Sequence, residues 1–171
     1  MSITLTALRD CPVDAMSRNE GRRENKLTAS ELELLNMHNA YRELVRNGKI
    51  SGQPASNSLP DMTWDGRLAI EAQEWSKTCK MEHDRSTKDG ENLAYDTDRN
   101  GDAVTDWFME HKDFKFGPLP DWFDRVILHY TQMVWATTTR LGCSKRFCPK
   151  FLAWGRQIDN VYFTVCRYSP K

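Results

Sequence analysis

The chain has 171 residues, a length that suits one domain with or without a tail. Lysine plus arginine balance aspartate plus glutamate at 24 each, which removes the usual electrostatic basis for binding nucleic acid or an anionic membrane. No apolar run is long enough to span a bilayer, and the start, Met1-Ser2-Ile3-Thr4, has neither a basic n-region nor an apolar h-region.

Residues 1–27 are polar and charged around Arg18-Asn19-Glu20-Gly21-Arg22-Arg23-Glu24-Asn25-Lys26, and read as an extended or mobile arm. Thr28-x-x-Glu31 and Ser30-x-x-Glu33 are alternative capping boxes for a first helix. Leu34, Leu35, Met37, His38, Tyr41, Leu44 and Val45 recur at helical spacing to Arg46, where Asn47-Gly48 stops them. Residues 48–63, with Gly52, Pro54 and Pro60, read as loop. A second helix is expected from Asp65 to Cys79, with Leu68, Ala69, Ala72 and Trp75 on one face. A polar loop follows through Asp84–Asp89. A third helix starts near Asp102 and carries Val104, Trp107, Phe108 and Phe114. Pro118 and Pro120, with Gly117, bar regular helix around Phe116 and Leu119. A fourth, apolar helix spans Val126–Ala136. Then the period changes: Phe151–Trp154 and Tyr162–Tyr168 are aromatic and β-branched, with Asp159-Asn160 as the hairpin turn between them. Helices first and strands late indicate an α+β fold.

Five cysteines, Cys11, Cys79, Cys143, Cys148 and Cys166, include no CxxC zinc pair. They are either buried thiols in a reducing compartment or a disulfide framework with one left over. His38 sits on an apolar helix face and reads as a structural histidine. His111 follows Glu110 directly and reads as surface.

The most informative block is His129-Tyr130-Thr131-Gln132-Met133-Val134-Trp135, followed by Gly142-Cys143 and Cys148. A second block, Tyr162-Phe163-Thr164-Val165-Cys166-Arg167-Tyr168-Ser169-Pro170, closes the chain. Together they resemble the signature motifs of the CAP (SCP/TAPS) superfamily, which includes cysteine-rich secretory, antigen 5 and pathogenesis-related 1 proteins. His38-Asn39-x-x-Arg42 and Gly90-Glu91-Asn92-Leu93 resemble further family motifs. The resemblance covers roughly residues 28–170. It implies a three-layer α-β-α sandwich over 28–171, outside the N-terminal arm, and is strongest toward helminth venom allergen-like proteins.

The resemblance also implies secretion, with a signal peptide already removed, and the disulfides Cys79–Cys148 and Cys143–Cys166. Chain-entropy estimates give about 4 kcal/mol for the longer loop and about 3 kcal/mol for the shorter. Cys11, outside every matching block, is left as the free thiol. It further implies a central cleft in which His83, Glu91, Glu110 and His129 meet. Two imidazoles and two carboxylates suit a divalent cation, zinc first by ligand type, with magnesium and calcium as alternatives. No HExxH, GxSxG or Ser/His/Asp order is present, so no catalytic residue is assigned, and a metal-dependent or His/Glu hydrolase stands as the alternative function.

In the family a loop rich in aromatics is associated with sterol binding. Here Phe114, Phe116, Leu119, Trp122 and Phe123 match that region, one residue off the family spacing. Leu34, Met37, Tyr41 and Leu44 match a groove for fatty acid. The expected role is therefore the binding of sterol or fatty acid at a parasite–host interface, by the loop rather than the cleft. A host receptor is a further partner class, and the chain is expected as a monomer or weak dimer.

Overall fold

The computed structural model describes residues 26–119 and 126–171. The arm's first 25 residues, including Cys11, and Trp122 and Phe123 of the loop lie outside these. Four helices and four strands follow in the order α1 (Ala29–Arg46), β1 (Thr63–Trp64), α2 (Gly66–Ser76), β2 (Gly90–Asp96), α3 (Ala103–Met109), α4 (Leu128–Met133), β3 (Arg140–Ala153) and β4 (Arg156–Ser169).

The first capping box is the one used. The Thr28 hydroxyl accepts from the Glu31 backbone N–H, and the Glu31 carboxylate accepts from Thr28 N–H at 2.8 Å. Asp65 caps α2 by accepting from Arg67 and Leu68 N–H. The second helix stops at Ser76, short of the expected Cys79, whose φ of 49° is incompatible with helix. The third stops at Met109 and tightens into one 3-10 turn, Glu110–Lys112, so Phe114 lies beyond it. The fourth is only Leu128–Met133, without a side-chain cap at its start.

The sheet order is β1-β3-β4-β2, with β1 parallel to β3 and the other pairs antiparallel. One core lies between the sheet and α1, α3 and α4, built on Val104, Trp107, Phe108, Tyr130, Met133, Leu141 and Tyr168. The other lies under α2 and holds Ala72, Leu93, Cys148, Phe151, Phe163 and Val165. Helices therefore cover both faces, as a three-layer sandwich requires. Gly142 marks a close approach of α2 to the sheet: a Cβ there would collide with the α2 backbone at Leu68 and Ala69.

The strands differ from expectation, beginning with β1, whose Thr63 was expected in a loop. β2 was not anticipated, because Gly90-Glu91-Asn92-Leu93-Ala94-Tyr95-Asp96 has no β-branched residue; seven register pairs with β4 hold it. The hairpin turn is Trp154-Gly155, not Asp159-Asn160. Ala153 pairs with Arg156, and Trp154 and Gly155 take φ of 48° and 77°, the mirror-turn geometry that suits right-twisted strands. Asp159 and Asn160 lie inside β4, where Asn160 has φ 57°. There the hairpin exchanges faces. Leu141 and Cys143 face the first core, whereas Phe151 and Ala153, also odd-numbered, face the second. The register keeps the same offset from Cys148↔Val161 to Lys150↔Asp159 and lacks a pair at Pro149 and Asn160, so the exchange is a local twist there.

Both expected disulfides are present. Cys143 and Cys166 are directly opposed across β3 and β4, with Cα atoms 4.1 Å apart. Cys79–Cys148 ties the segment after α2 to the hairpin across 5.8 Å.

Two residues of α1 secure the irregular segments. Arg42 is fully buried and donates to four backbone carbonyls: Pro60 at 2.8 Å, Met133 at 2.9 Å, Trp135 at 3.1 Å and Thr138 at 3.0 Å. Burial lowers its pKa to about 10, so it stays charged at neutral pH. Asn39 brackets Met62, donating to its carbonyl and accepting from its N–H. Replacement of Arg42 by lysine keeps the charge but loses the planar five-donor fork. At least one buried carbonyl then goes unpartnered, and we expect a loss of about 3 kcal/mol, read as a lower denaturant midpoint with disulfides intact. An unchanged midpoint contradicts the role assigned to Arg42.

Candidate functional site

The start of β2 divides a cleft into two polar halves. Glu91 and Asn92 are consecutive in a strand, so their side chains leave on opposite faces. The Glu91 side chain is 4% exposed. Its Oε1 meets His83 Nδ1 at 2.8 Å and accepts from the Asp84 N–H at 3.0 Å. Arg167, paired in register with Glu91, is buried beneath. Its Nη2 lies 2.7 Å from Asp84 Oδ2 and 3.1 Å from Glu91 Oε2. Burial alone would raise the Asp84 pKa, but hydrogen bonds from Ser86 and Arg167 bring it down to about 2. The Arg167 Nε and Nη1 groups have no partner among the described residues.

On the other face, His129 Nδ1 meets Glu110 Oε1 at 2.6 Å, and Glu110 Oε2 accepts from the Tyr130 N–H at 3.1 Å. The His129 ring stacks on Trp107, with centroids 5.8 Å apart. Asn92 donates to the His129 carbonyl and to the Tyr168 hydroxyl, both at 3.1 Å. That hydroxyl lies 2.9 Å from Nε2 of His38, whose Nδ1 is 2.7 Å from the Leu34 carbonyl. A buried polar chain thus joins the first helix to the cleft.

His83, Glu91 and His129 share a cleft of about 540 Å³ with Asn92, Thr131, Gln132 and Lys171. Leu119, Val126, Ile127, Leu128 and Trp135 complete the lining. The four expected ligands meet as two His–Glu pairs rather than as one shell. Among the described residues, no three His, Cys, Asp or Glu side chains group around a metal position. The physical reason is that each carboxylate is already committed to an imidazole and a backbone N–H. With Nδ1–H directed to a carboxylate, each ring keeps Nε2 for a ligand, which is how metal-binding histidines are commonly oriented. The described residues thus offer two separate imidazoles, each backed by a glutamate, rather than one ligand shell.

The apolar candidates divide. Phe114 is half-buried against Tyr130, at 5.6 Å between rings, and belongs to the first core. Tyr41 stacks on Phe108 at 4.0 Å and bonds Thr105. Leu34 and Met37 also pack on that core, and both border a separate open groove of about 1450 Å³ between α1, α2 and the sheet. Leu44 is exposed on α1 and does not border it. Phe116 is 66% exposed. Leu119 borders the His–Glu cleft, so the loop and the cleft are not separate places. His111 is half-buried rather than on the surface, held between Phe108 and Tyr130, and desolvation lowers its pKa. Asp84, Arg167, Gln132, Trp135 and Lys171 were not anticipated at the cleft. A cation between Cys166 and Tyr168 in an otherwise apolar strand was the one available signal for Arg167.

A disulfide-stapled α-β-α domain with paired histidines and glutamates at one end of its sheet defines a class, and the comparisons with known proteins give it a name. Residues 35–168 match the model of the cysteine-rich secretory protein family, CAP, and the chain belongs to that family. It is 38% identical over 146 residues to cysteine-rich secretory protein 2 of Cavia porcellus, covering 81% of this chain and 54% of that one. Cysteine-rich secretory protein 2 of Homo sapiens is 36% identical over the same length, covering 81% and 55%. The chain thus spans about half the length of these curated relatives. Among solved structures it is similar to the Schistosoma mansoni venom allergen-like protein 4, at 30% identity and TM-score 0.68, covering 84% and 90% of the two chains. It is also similar to NaASP2 with Zn2+, at 26% identity and TM-score 0.71, covering 86% and 83%.

His38 supplies a pH test of the buried polar chain. Burial lowers its pKa from 6.5 to about 4, despite the hydrogen bond to Leu34. Between these values the unfolded chain binds a proton that the folded chain refuses, so stability falls as the pH drops from about 6.5 toward about 4. The full contribution is on the order of 3 kcal/mol. Denaturant midpoints at pH 7 and pH 5 measure it, and in an NMR titration the His38 ring should stay neutral at pH 5.

Proposed function

We propose that this is a secreted CAP-domain module that binds small apolar ligands, sterols first and fatty acids second, outside the cell and at a host interface. The observation that supports this most is the combination at one cleft of a polar floor with exposed Leu119, Val126, Leu128 and Trp135. Its volume falls in the range of small-molecule sites, and such sites are mostly apolar with few convergent polar groups. A sterol has the same division: a rigid apolar body and one hydroxyl. Burying the body supplies roughly 25 cal/mol per Å², and His83, His129 and Gln132 are available to the hydroxyl. The open groove beside Leu34 and Met37 is the corresponding place for a fatty acyl chain.

A binding role is preferred to catalysis because the Thr131 hydroxyl, in the cleft, donates to the Leu128 carbonyl and is not activated by either histidine. Leu128→Asp or Trp135→Ser should weaken sterol binding about ten-fold, while His129→Gln should weaken it less than about three-fold. A fluorescent-sterol titration reads this directly. Absence of saturable binding by the unaltered protein overturns the lipid reading.

A divalent cation is the second reading, supported by the two free Nε2 positions and by the similarity to NaASP2 with Zn2+. His83 and His129 would hold it, and a bound zinc would supply Lewis-acid polarisation to a metal-dependent hydrolase. Only neutral imidazole is a ligand, so zinc affinity should fall between pH 7.5 and pH 5.5. Calorimetry should show His129→Ala losing more affinity than His111→Ala. Equal losses in the two variants count against the site.

A further inference from the structure

The balanced charge of the whole chain conceals a local asymmetry at the far end of the β3–β4 hairpin. Trp154 occupies the first position of the turn, with φ 48°. That position favours asparagine, aspartate or glycine, and a bulky aromatic residue there is strained. Trp154 is also 77% exposed, and its ring reaches only toward Tyr95, at 6.2 Å between centroids. The fold thus meets two costs at one residue and gains little packing in return. An outlier of this kind points to a use outside the fold.

The surroundings say what that use is. Leu152, two residues earlier, is exposed. Lys150 and Arg156 flank the turn, and Lys80 bridges to Leu152 along the outer edge of the hairpin; all three are exposed. Among the described residues none of the three has a carboxylate partner, whereas Arg46, Arg67, Lys77, Arg140 and Arg167 do. Asp159, opposite Lys150, is the single acid between Lys145 and Tyr162.

We propose that this tip is an anchor for an anionic membrane surface. Trp154 and Leu152 enter the boundary between headgroups and acyl chains, and Lys80, Lys150 and Arg156 engage the lipid phosphates. An indole ring with one N–H favours that boundary. Basic side chains can lay their stems on it and keep their charges among the headgroups. Each cation near an anionic leaflet strengthens binding about five-fold. A protein partner is disfavoured by area: one tryptophan and one leucine fall far short of the roughly 800 Å² per side of a stable interface. A bilayer needs no matched shape. Neither residue borders the His–Glu cleft, so the anchor is independent of the ligand site.

The test is co-sedimentation with vesicles of phosphatidylcholine alone and with roughly one-third phosphatidylserine. The unaltered protein should bind the anionic vesicles about a hundred-fold more strongly, and less so at high salt. Trp154→Asn gives the turn its preferred Asn-Gly pair, so it should fold with an equal or higher thermal midpoint while losing about ten-fold in vesicle binding. The Lys150→Glu, Arg156→Glu double variant should lose the preference for phosphatidylserine. Equal binding to the two vesicle types, or full binding by Trp154→Asn, overturns the proposal. So does Trp154-dependent self-association without vesicles in analytical ultracentrifugation, which would assign the tip to a protein contact.

Discussion

One buried guanidinium group fixes the relation of the helical layer to the rest of the molecule. Arg42 satisfies carbonyls from the loop before β1, the end of α4 and the entry to β3. Those segments have no regular ladder of their own, and unpartnered carbonyls in a dry interior cost more than an ordinary hydrogen bond gains. The neighbours on the same helix extend the arrangement. Asn39 holds Met62 at both of its backbone groups, and His38 reaches the Tyr168 hydroxyl on β4. His38-Asn39-x-x-Arg42 is therefore a polar seam between α1 and the backbone it packs against.

The same logic holds the polar floor of the cleft in place. The His129 backbone is gripped by Asn92, its ring by Trp107 and its Nδ1 by Glu110. Glu91 is held by Asp84 N–H and by Arg167 below. His83 is the exception, exposed on a loop with the one carboxylate contact. The rim is made by short, uncapped or aperiodic segments around α4 and Leu119.

Legibility from sequence followed the strength of local signals. The cap of α1, the start of α2 and the apolar faces of both helices came from side chains that act on near neighbours or with helical spacing. β2 was invisible because its stability comes from pairing with β4, more than sixty residues away, and not from its composition. The hairpin was misplaced because two features compete. Asn160 does take a positive φ, but to turn the strands over rather than to reverse them, and Gly155 carries the reversal. The cleft histidines and glutamates were found through motif resemblance, since they come from four separate segments. Asp84 and Arg167 escaped because a buried ion pair leaves no periodic trace.

The long hairpin also sets an order of assembly. Cys143 and Cys166 oppose each other within a contact made by zipping outward from Trp154-Gly155, so their meeting needs no other part of the chain. Cys79 reaches Cys148 only after the segment after α2 has paired with the outer edge of the hairpin, through Leu152 and Met81. Local pairing precedes distant docking because its loop-closure entropy is smaller. The intra-hairpin bridge therefore closes the shorter loop, 23 residues against 69, and has the smaller loop-closure entropy to meet. The second bridge acts as a record that α2 has arrived, and a chain lacking it is one whose second layer has yet to close.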